Sequence, residues 1–214
     1  AGAKNAFLIP EPLAAAIGAG LAVAEPAGNM IVNIGGGTTE IAIVSLYGMV
    51  SHGSIRVGGN TLDEAIISYI RRTYSLVVGE NTAERGKIEI GAAQPLSKDR
   101  TMEVKGRDAV SGFPKTVVIT SQEIVNVFAP PLNQIAMAIK AVLEKTPPEL
   151  ASDVIDKGIV LSGGSASLRN LDKHISDYTG IAVHVAEDPL YCVVKGLSRV
   201  LENADMYSKS MIKR

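Results

Sequence analysis

Apolar residues along this chain change repeatedly between the spacing of a strand and the spacing of a helix. Short apolar or β-branched runs predict five strands, near residues 30–34, 40–46, 49–56, 158–162 and 182–185. Tyr47-Gly48 separates the second run from the third, which is typical of a hairpin turn. From Glu11 to Ala24 the sequence is alanine-rich and apolar on almost every side, so a buried helix is expected there.

Helical patterns fill most of the remaining chain. A stripe of apolar residues between Ile124 and Val142 predicts a long helix, which Pro130-Pro131 is expected to split or kink. The segment after Gly58-Gly59 also has helical spacing. Further helices are predicted over Glu80–Ile90, after Pro147-Pro148, near Ser167–Tyr178 and from Pro189.

This order of elements predicts an α/β fold, with a five-stranded mixed sheet flanked by helices. The middle of the chain is more polar, and between Gly91 and Gly112 it predicts short exposed strands and loops. We therefore expect a main lobe formed by residues 1–57 and 122–214, and a small inserted α+β lobe formed by residues 58–121.

Composition excludes several classes of function. The chain has 21 basic and 22 acidic residues, no Trp and 4% aromatic residues, so neither a basic surface nor stacking platforms for nucleic acid are expected. No apolar run approaches the roughly 18 residues that cross a bilayer. Cys192 is the single cysteine and the three histidines are scattered, a pattern without zinc-ligand spacing.

The first candidate for chemistry is the segment NIGGGTTE, residues 33–40, in a turn between two predicted strands. Gly35, Gly36 and Gly37 allow backbone N–H groups to approach phosphate oxygens that a Cβ would block. The hydroxyls of Thr38 and Thr39 can add hydrogen bonds to a phosphate or to a positioned water. The alternative is a glycine-rich hairpin turn without a ligand.

Two further segments are compatible with the same ligand. Ser162-Gly163-Gly164 follows a predicted buried strand, where its backbone can lie flat against a purine or a sugar; a plain strand-to-helix turn is the alternative. Glu84 and Lys87 are three residues apart on one face of a predicted helix. A solvated ion pair between them is the simpler explanation.

Together these segments resemble the second half of the actin, chaperone and sugar kinase ATPase superfamily. GGGTT between two strands resembles its second phosphate loop, SGG resembles its adenosine loop, and Glu84 with Lys87 resembles the pair that brackets the adenosine. Nearly the whole chain is similar to the MreB family of bacterial actins, the rod shape-determining proteins. The similar blocks are IPEPLAAAIGAGL, GNMIVNIGGGTTEIAIVSL, VGGNTLDEAIISYI, GENTAERGKIEIG, KGRDAVSGFPKTV, TPPELASDVIDKGIVLSGG and DPLYCVVKG.

The resemblance implies an actin-like (ribonuclease H-like) ATPase fold, with residues 1–57 and 122–214 as subdomain IIA and residues 58–121 as subdomain IIB. Glu11 matches the acidic residue that positions the attacking water, and Thr38 matches its partner. A helix-start carboxylate, favourable with the helix dipole, is the alternative explanation for Glu11. The implied ligand is ATP or ADP with Mg²⁺. The residues implied to hold it are Asn33, Gly35, Gly36, Gly37, Thr38, Thr39, Glu84, Lys87, Gly163, Gly164 and Ser165.

The chain departs from the family pattern at three positions. Asn33 stands where the family has an aspartate that orients magnesium-bound water, so any contact of Asn33 with the metal is indirect. Losing one charge about 5 Å from Mg²⁺ removes several kcal/mol of attraction, roughly, at an effective dielectric near 20. Ser165 replaces a third glycine of the adenosine loop, and Pro10 replaces an acidic residue.

No segment of the sequence resembles the first phosphate loop of the superfamily or the N-terminal membrane-binding features of the family. We therefore expect the C-terminal half of a cytoskeletal protein whose family slowly hydrolyses ATP to ADP and phosphate, and we expect this chain alone to be inactive. The alternatives are half of a chaperone-type or sugar-kinase-type ATPase, or a non-hydrolysing filament protein.

The expected partners also come from the resemblance. They are further copies of the chain, joined head to tail in a filament, and membrane-associated wall-synthesis proteins. The expected location is the cytoplasm under the inner membrane, where the filament organises wall synthesis and controls rod shape. Membrane contact is expected only through an N-terminal half that this sequence lacks, and no nucleic acid is expected.

Overall fold

The structure is a computed structural model that describes residue 2 and residues 6–213. Residues 1, 3–5 and 214, which belong to the predicted main lobe, lie outside the described residues. The α/β prediction is confirmed. The strands are β1 Phe7–Leu8, β2 Asn29–Ile34, β3 Thr39–Ser45, β4 Gly48–Ile55, β5 Leu76–Val77, β6 Thr101–Asp108, β7 Pro114–Thr120, β8 Ile159–Ser162, β9 Val183–Val185 and β10 Ile212–Lys213. The helices are α1 Glu11–Gly18, α2 Gly59–Tyr74, α3 Glu80–Ile90, α4 Ser121–Glu144, α5 Pro148–Lys157, α6 Leu171–Thr179 and α7 Cys192–Glu202.

The large sheet has five strands in the order β4-β3-β2-β8-β9. Strands β2, β3 and β4 are antiparallel neighbours, whereas β8 runs parallel to both β2 and β9, so the sheet is mixed as predicted. All five predicted strands agree with the structure to within one residue at each end. The glycines of residues 35–37 therefore lie in the turn between β2 and β3.

Both faces of the large sheet are covered by helices. Alternate residues of β2 point to opposite faces: Val32 packs in a cluster with Phe128 of α4, and Ile31 packs in a second cluster with Leu13 of α1 and Val200 of α7. Helices α1 and α7 cross so closely that a Cβ on Gly18 would lie 1.7 Å from the carbonyl oxygen of Cys192. Glycine is therefore required at this crossing.

Helix α4 is continuous from Ser121 to Glu144, so of the two predicted effects of Pro130-Pro131 a split is wrong, and a kink stays a prediction. A proline inside a helix costs about 3 kcal/mol. Four large apolar side chains on the same helix are almost fully buried against the core, and at about 1.5–3 kcal/mol each they outweigh that cost. They are Phe128, Leu132, Ile135 and Ile139.

Helix α1 ends at Gly18, six residues before the predicted end at Ala24. Gly20 has a φ of +80°, in the left-handed region that a continuing helix cannot use. The chain then turns so that the carbonyl of Val23 accepts from the N–H of Tyr47, 2.7 Å away. The residues after Gly18 are therefore apolar because this turn packs against the hairpin, and not because the helix continues.

The small sheet has the antiparallel order β5-β6-β7, and its strands lie within the polar middle of the chain. Strand β6 lies within the segment that was predicted to hold exposed strands and loops, and β7 begins just after that segment. The predicted helix near Ser167–Tyr178 begins at Leu171, after a 3₁₀ turn at Gly164–Ser167. The helix expected from Pro189 begins with a 3₁₀ turn, Pro189–Tyr191, and continues as α7. The lobe boundaries at 57/58 and 121/122 stay a prediction.

Candidate functional site

Most of the predicted site residues surround one cavity of about 470 Å³, at the end of the large sheet where β2 and β8 stop. Its lining contains nine of them: Glu11, Asn33, Gly35, Gly36, Glu84, Lys87, Gly163, Gly164 and Ser165. Gly59, Asn60, Ile88, Leu190 and Val193 complete the lining. Gly37, Thr38 and Thr39 do not line this cavity.

The glycine turn between β2 and β3 is held from behind by the start of α2. The carbonyl oxygens of Gly35 and Gly36 accept hydrogen bonds from the N–H groups of Gly59 and Asn60, at 3.0 and 2.8 Å. A Cβ on Gly58 would lie 2.6 Å from both of those oxygens, so only glycine fits there. The pair Gly58-Gly59 is visible in the sequence, but no local pattern assigns it to the site.

Three consecutive N–H groups of the turn remain available. Within the described residues, the N–H groups of Gly36, Gly37 and Thr38 donate to no protein acceptor. The N–H of Gly35 closes the turn by donating to the carbonyl of Thr38, 2.9 Å away. Successive unpaired N–H groups in a turn form a concave site for an anion.

The two threonines that follow have different surroundings. Thr39 is fully buried, and its hydroxyl donates to the carbonyl oxygen of Val57 at 2.7 Å. Thr38 is partly exposed, and its hydroxyl has no hydrogen-bond partner among the residues that the structure describes. Of the two hydroxyls, that of Thr38 is therefore the one available to a ligand.

Asn33 connects α1 with β8 at the cavity wall. Its side-chain nitrogen donates to Glu11 Oε1 at 2.7 Å, and its side-chain oxygen accepts from the hydroxyl of Ser162 at 3.0 Å. Asn33 is 3% exposed, whereas Glu11 is exposed at the first residue of α1. The buried amide therefore restrains a carboxylate at the surface of the cavity.

The loop after β8 packs on the glycine turn. Gly163 has a φ of +86°, and a Cβ there would lie 2.3 Å from the carbonyl oxygen of Ile34. Ser165 donates its hydroxyl to the carbonyl of Gly35 at 3.1 Å. The two loops named in the sequence analysis are thus joined directly, and both face the cavity.

On α3, Lys87 is not paired with Glu84. Its amino group lies 2.6 Å from Asp63 Oδ2 and 3.1 Å from the carbonyl oxygen of Gly59, both on α2. Burial raises the pKa of Asp63 by more than the hydrogen bond from Lys87 lowers it. Sequence reasoning missed Asp63 because the contact joins residues 24 positions apart, on different helices.

A second pocket of about 310 Å³ adjoins the cavity. The two share Lys87, Ile88, Gly164 and Ser165, and the pocket adds Leu62, Ser167, Leu168 and Arg169. Arg169 donates to the carbonyl oxygens of Ile88 and Gly91, at 2.8 and 3.1 Å. It thereby holds the C-terminal end of α3 against the segment after β8, a role that no sequence pattern indicated.

The side chains around the cavity do not form a shell for Mg²⁺. This ion takes six oxygen ligands in near-octahedral geometry. The described residues contain no group of three or more His, Cys, Asp or Glu side chains that can hold a metal. The cavity lining contains two carboxylates, those of Glu11 and Glu84, and Glu11 accepts a hydrogen bond from Asn33.

A family model described as MreB/Mbl protein matches residues 1–209. The chain is 53% identical over 207 residues to the cell shape-determining protein MreB of Escherichia coli (strain K12), in an alignment that covers 97% of this chain and 60% of that protein. It is 42% identical over 208 residues to the cell shape-determining protein Mbl of Bacillus subtilis (strain 168), covering 97% and 62%.

Solved structures give the same result. MreB5 of Spiroplasma citri, crystallised with ADP, is 40% identical with a TM-score of 0.89, and the match covers 93% of this chain and 60% of MreB5. The same protein was also crystallised with AMPPNP. This chain therefore spans about 60% of the length of these relatives. Among the described residues, no helix is both long enough and apolar enough to cross a membrane.

Proposed function

The chain belongs to the MreB/Mbl family of actin-like cell shape-determining proteins, and from that membership we propose that it forms one wall of an ATP- and ADP-binding cleft in a filament subunit. The observation that carries the proposal is the meeting of the glycine turn, the loop after β8 and helix α3 around one cavity. MreB5, a relative, was crystallised with ADP and with AMPPNP. This membership favours a cytoskeletal function over the chaperone or sugar kinase alternatives.

The phosphates would lie against the glycine turn. The free N–H groups of Gly36, Gly37 and Thr38 supply three hydrogen-bond donors there without the cost of desolvating a cation. Helix α2 begins behind the turn, and the positive end of its dipole also favours an anion there. The hydroxyl of Thr38 is a further donor.

The adenosine would lie between α3 and the loop after β8. Ile88 and Leu190 are 62% and 63% exposed and line the cavity, so a purine can cover their apolar surfaces. Gly164 leaves the backbone open toward the base, and the adjoining apolar pocket provides room. Lys87, already paired with Asp63, contributes its aliphatic stem as well as its amino group.

Glu11 and Thr38 would act on the attacking water. A carboxylate can align a water with the terminal phosphate, and catalysis of phosphoryl transfer comes mainly from such positioning and from charge stabilisation. Mg²⁺, if it accompanies the nucleotide, would be held by phosphate oxygens and water. Because no segment of the chain resembles the first phosphate loop, we expect no ATP turnover by the 214-residue chain; phosphate release that a Glu11→Ala control abolishes would contradict this.

A non-hydrolysing filament protein is a second candidate, and Asn33 is the observation that favours it. An amide brings no negative charge to the position where the family pattern has an aspartate. The test is phosphate release from a polypeptide that also contains the remaining length of the relatives, with and without Asn33→Asp. Turnover that is absent in the natural sequence and appears in the variant would support the second candidate.

Self-association head to tail, membrane-associated wall-synthesis proteins as partners, and a location in the cytoplasm under the inner membrane complete the proposal. They rest on family membership. Fluorescence microscopy of a labelled polypeptide of the relatives' full length in a rod-shaped bacterium tests them together. Diffuse fluorescence with unchanged cell shape after depletion would contradict them.

Nucleotide binding is tested by titrating the chain with ADP and following its ¹H–¹⁵N spectrum. Gly164→Val fills the cavity, where a Cβ would already lie 3.3 Å from Leu190, and we expect at least about a tenfold loss of affinity. Gly79→Val is the matched control, because a Cβ at Gly79 meets nothing within 4 Å and its backbone is extended. The proposal fails if ADP moves no signals of the cavity residues, or if both variants bind equally well.

A further inference from the structure

The side chain of Asn33 lies between two groups of different kinds. On one side is Glu11, a carboxylate 2.7 Å from its nitrogen, and on the other is the hydroxyl of Ser162, 3.0 Å from its oxygen. Ser162 is the residue opposite Asn33 in the parallel pairing of β2 with β8, and it is fully buried. Two strands at the centre of the large sheet thus fix where this amide can be.

The chemistry of the neighbours fixes how the amide is turned. An ionised carboxylate only accepts hydrogen bonds, so the NH₂ group must face Glu11. The Ser162 hydroxyl can then donate to the amide oxygen. Reversing the amide would place its oxygen against the carboxylate and leave two acceptors in contact. The arrangement is therefore directional, and it requires an amide at position 33.

Glu11 depends on this contact for its position. It is an exposed side chain at the start of α1, and Asn33 is its one hydrogen-bond partner within the part of the chain that the structure describes. A glutamate in water populates several rotamers, and ordering it costs conformational entropy. A hydrogen bond from a buried amide, itself held by Ser162, restricts the carboxylate before any ligand arrives.

We propose that Asn33, held in orientation by Ser162, is a positioning residue that fixes the Glu11 carboxylate at the edge of the cavity. The proposal rests on the proposed function, in which Glu11 aligns the attacking water beside the terminal phosphate. It gives position 33 a role that an aspartate cannot fill, because two carboxylates at hydrogen-bond distance repel each other unless they share a proton. Preorganised groups of this kind are what positioning catalysis requires.

The first experiment needs no nucleotide. In ¹H–¹⁵N spectra of the free chain, we expect the Asn33 side-chain amide protons to exchange slowly with water and to lie downfield of exposed asparagines. Glu11→Ala and Ser162→Ala should each remove both features. Glu84→Ala is the matched control, since Glu84 lines the same cavity, whereas the side-chain hydrogen bonds of Asn33 go to Glu11 and Ser162. If the exchange rate and chemical shift of the Asn33 side-chain amide are unchanged in Glu11→Ala, the proposal is wrong.

The second experiment exchanges the two groups. AMPPNP binding is measured in EDTA for the natural chain, for Asn33→Asp, and for the double variant Asn33→Asp with Glu11→Gln. Asn33→Asp should weaken binding about tenfold, because it adds a charge and loses a hydrogen bond to an ionised group. The double variant restores one amide facing one carboxylate, and it should return to within about threefold of the natural chain.

A failure of the positioning role of Asn33 can be distinguished from a failure of the proposed nucleotide binding. If the natural chain does not bind AMPPNP, the proposed function fails, while the amide spectrum still decides whether Asn33 positions Glu11. If binding occurs but the double variant is as weak as Asn33→Asp, the positioning role fails and the proposed function stands. Thermal unfolding of each variant verifies that all of them remain folded.

Discussion

At the scale of single residues, the ion pair of Asp63 with Lys87 is a contact that no sequence pattern predicted. Their charged atoms are 2.6 Å apart, and their side chains are 12% and 15% exposed. Asp63 Oδ1 is buried without a hydrogen-bond partner among the described residues. Removing one partner from such a pair leaves an uncompensated charge, whereas replacing both by apolar residues can be nearly neutral.

We expect Asp63→Leu to lower the free energy of unfolding by about 3 kcal/mol, because it strands the amino group of Lys87. The double variant Asp63→Leu with Lys87→Met should recover most of this loss, since neither charge remains buried. Urea unfolding followed by circular dichroism measures both. If the double variant has the same free energy of unfolding as Asp63→Leu, the buried charge of Lys87 is not the cause of the lost stability, and this explanation is wrong.

Thr38 and Thr39 offer a matched test of which hydroxyl faces the ligand. Thr39→Val should cost about 1–2 kcal/mol of stability, because the buried carbonyl of Val57 loses its donor, and it should leave AMPPNP affinity unchanged. Thr38→Val should do the reverse, with stability within about 0.5 kcal/mol of the natural chain and affinity lowered about tenfold. Calorimetric titration and thermal unfolding decide it. Equal effects of the two changes on affinity would contradict the assignment.

Between secondary-structure elements, Glu123 joins the start of α4 to α2. It accepts hydrogen bonds from the hydroxyls of Tyr69, at 2.6 Å, and of Tyr74, and from the N–H of Thr120 at 2.7 Å. Partial burial alone would raise the pKa of Glu123, but these hydrogen bonds outweigh it and lower that pKa below its ordinary value of 4.5. The ionised form is therefore the one that the fold stabilises.

A carboxyl group whose folded pKa is depressed contributes stability above its unfolded pKa and loses that contribution as the pH falls through the folded value. We expect Glu123→Gln to lower stability by about 1–2 kcal/mol at pH 7 and to reduce the fall in melting temperature below about pH 4.5. Glu103→Gln is the control, because Glu103 is exposed on β6 and has no ion-pair or hydrogen-bond partner among the described residues. Parallel pH profiles for the natural chain and Glu123→Gln would contradict the assignment.

The five strands were predictable from the sequence because each contains apolar or β-branched residues in a short run, and two of the runs stop directly before a glycine, β2 before Gly35 and β8 before Gly163. The end of α1 and the continuity of α4 could not be predicted from the sequence, because both depend on contacts with other elements. Within the site, the glycine turn and the loop after β8 could be read from local sequence. The restraints on them could not: Gly58, Asp63 and Arg169 act on residues more than 20 positions away.

For the chain as a whole, the β6–β7 hairpin presents the most exposed apolar side chains beside the small sheet. Val110 is 88% exposed and Phe113 is 72% exposed. Asp108 orders the loop by accepting from the N–H groups of Val110 and Ser111, at 2.9 and 2.8 Å, and from Lys115. These hydrogen bonds hold the pKa of Asp108 well below its usual range, and the bond from the N–H of Ser111 has the largest effect. The tip of the hairpin is therefore held by hydrogen bonds within the hairpin itself.

From the family resemblance we expect the outer end of the predicted inserted lobe, residues 58–121, to contact the base of the predicted main lobe in the next subunit, and we propose that the hairpin tip forms that outer end. A contact between two different surfaces does not close on itself, so it builds open rows of subunits and not compact dimers. A contact below about 1,000 Å² is weak. We therefore expect a monomer at micromolar concentration, and a sedimentation coefficient that rises without a plateau as the concentration approaches the millimolar range.

Phe113→Ser should suppress that rise, shifting the concentration at which it begins about tenfold or more, because burial of a phenylalanine is worth about 1.5–3 kcal/mol. Leu201→Ser is the matched control, since Leu201 is equally exposed, at 72%, but lies on α7. Sedimentation velocity over a concentration series measures both variants. If Leu201→Ser suppresses association and Phe113→Ser does not, the copies meet through α7. A tight two-fold dimer at micromolar concentration would contradict head-to-tail assembly outright, because an isologous pair uses the same surface on both copies and leaves no end at which a third subunit can add.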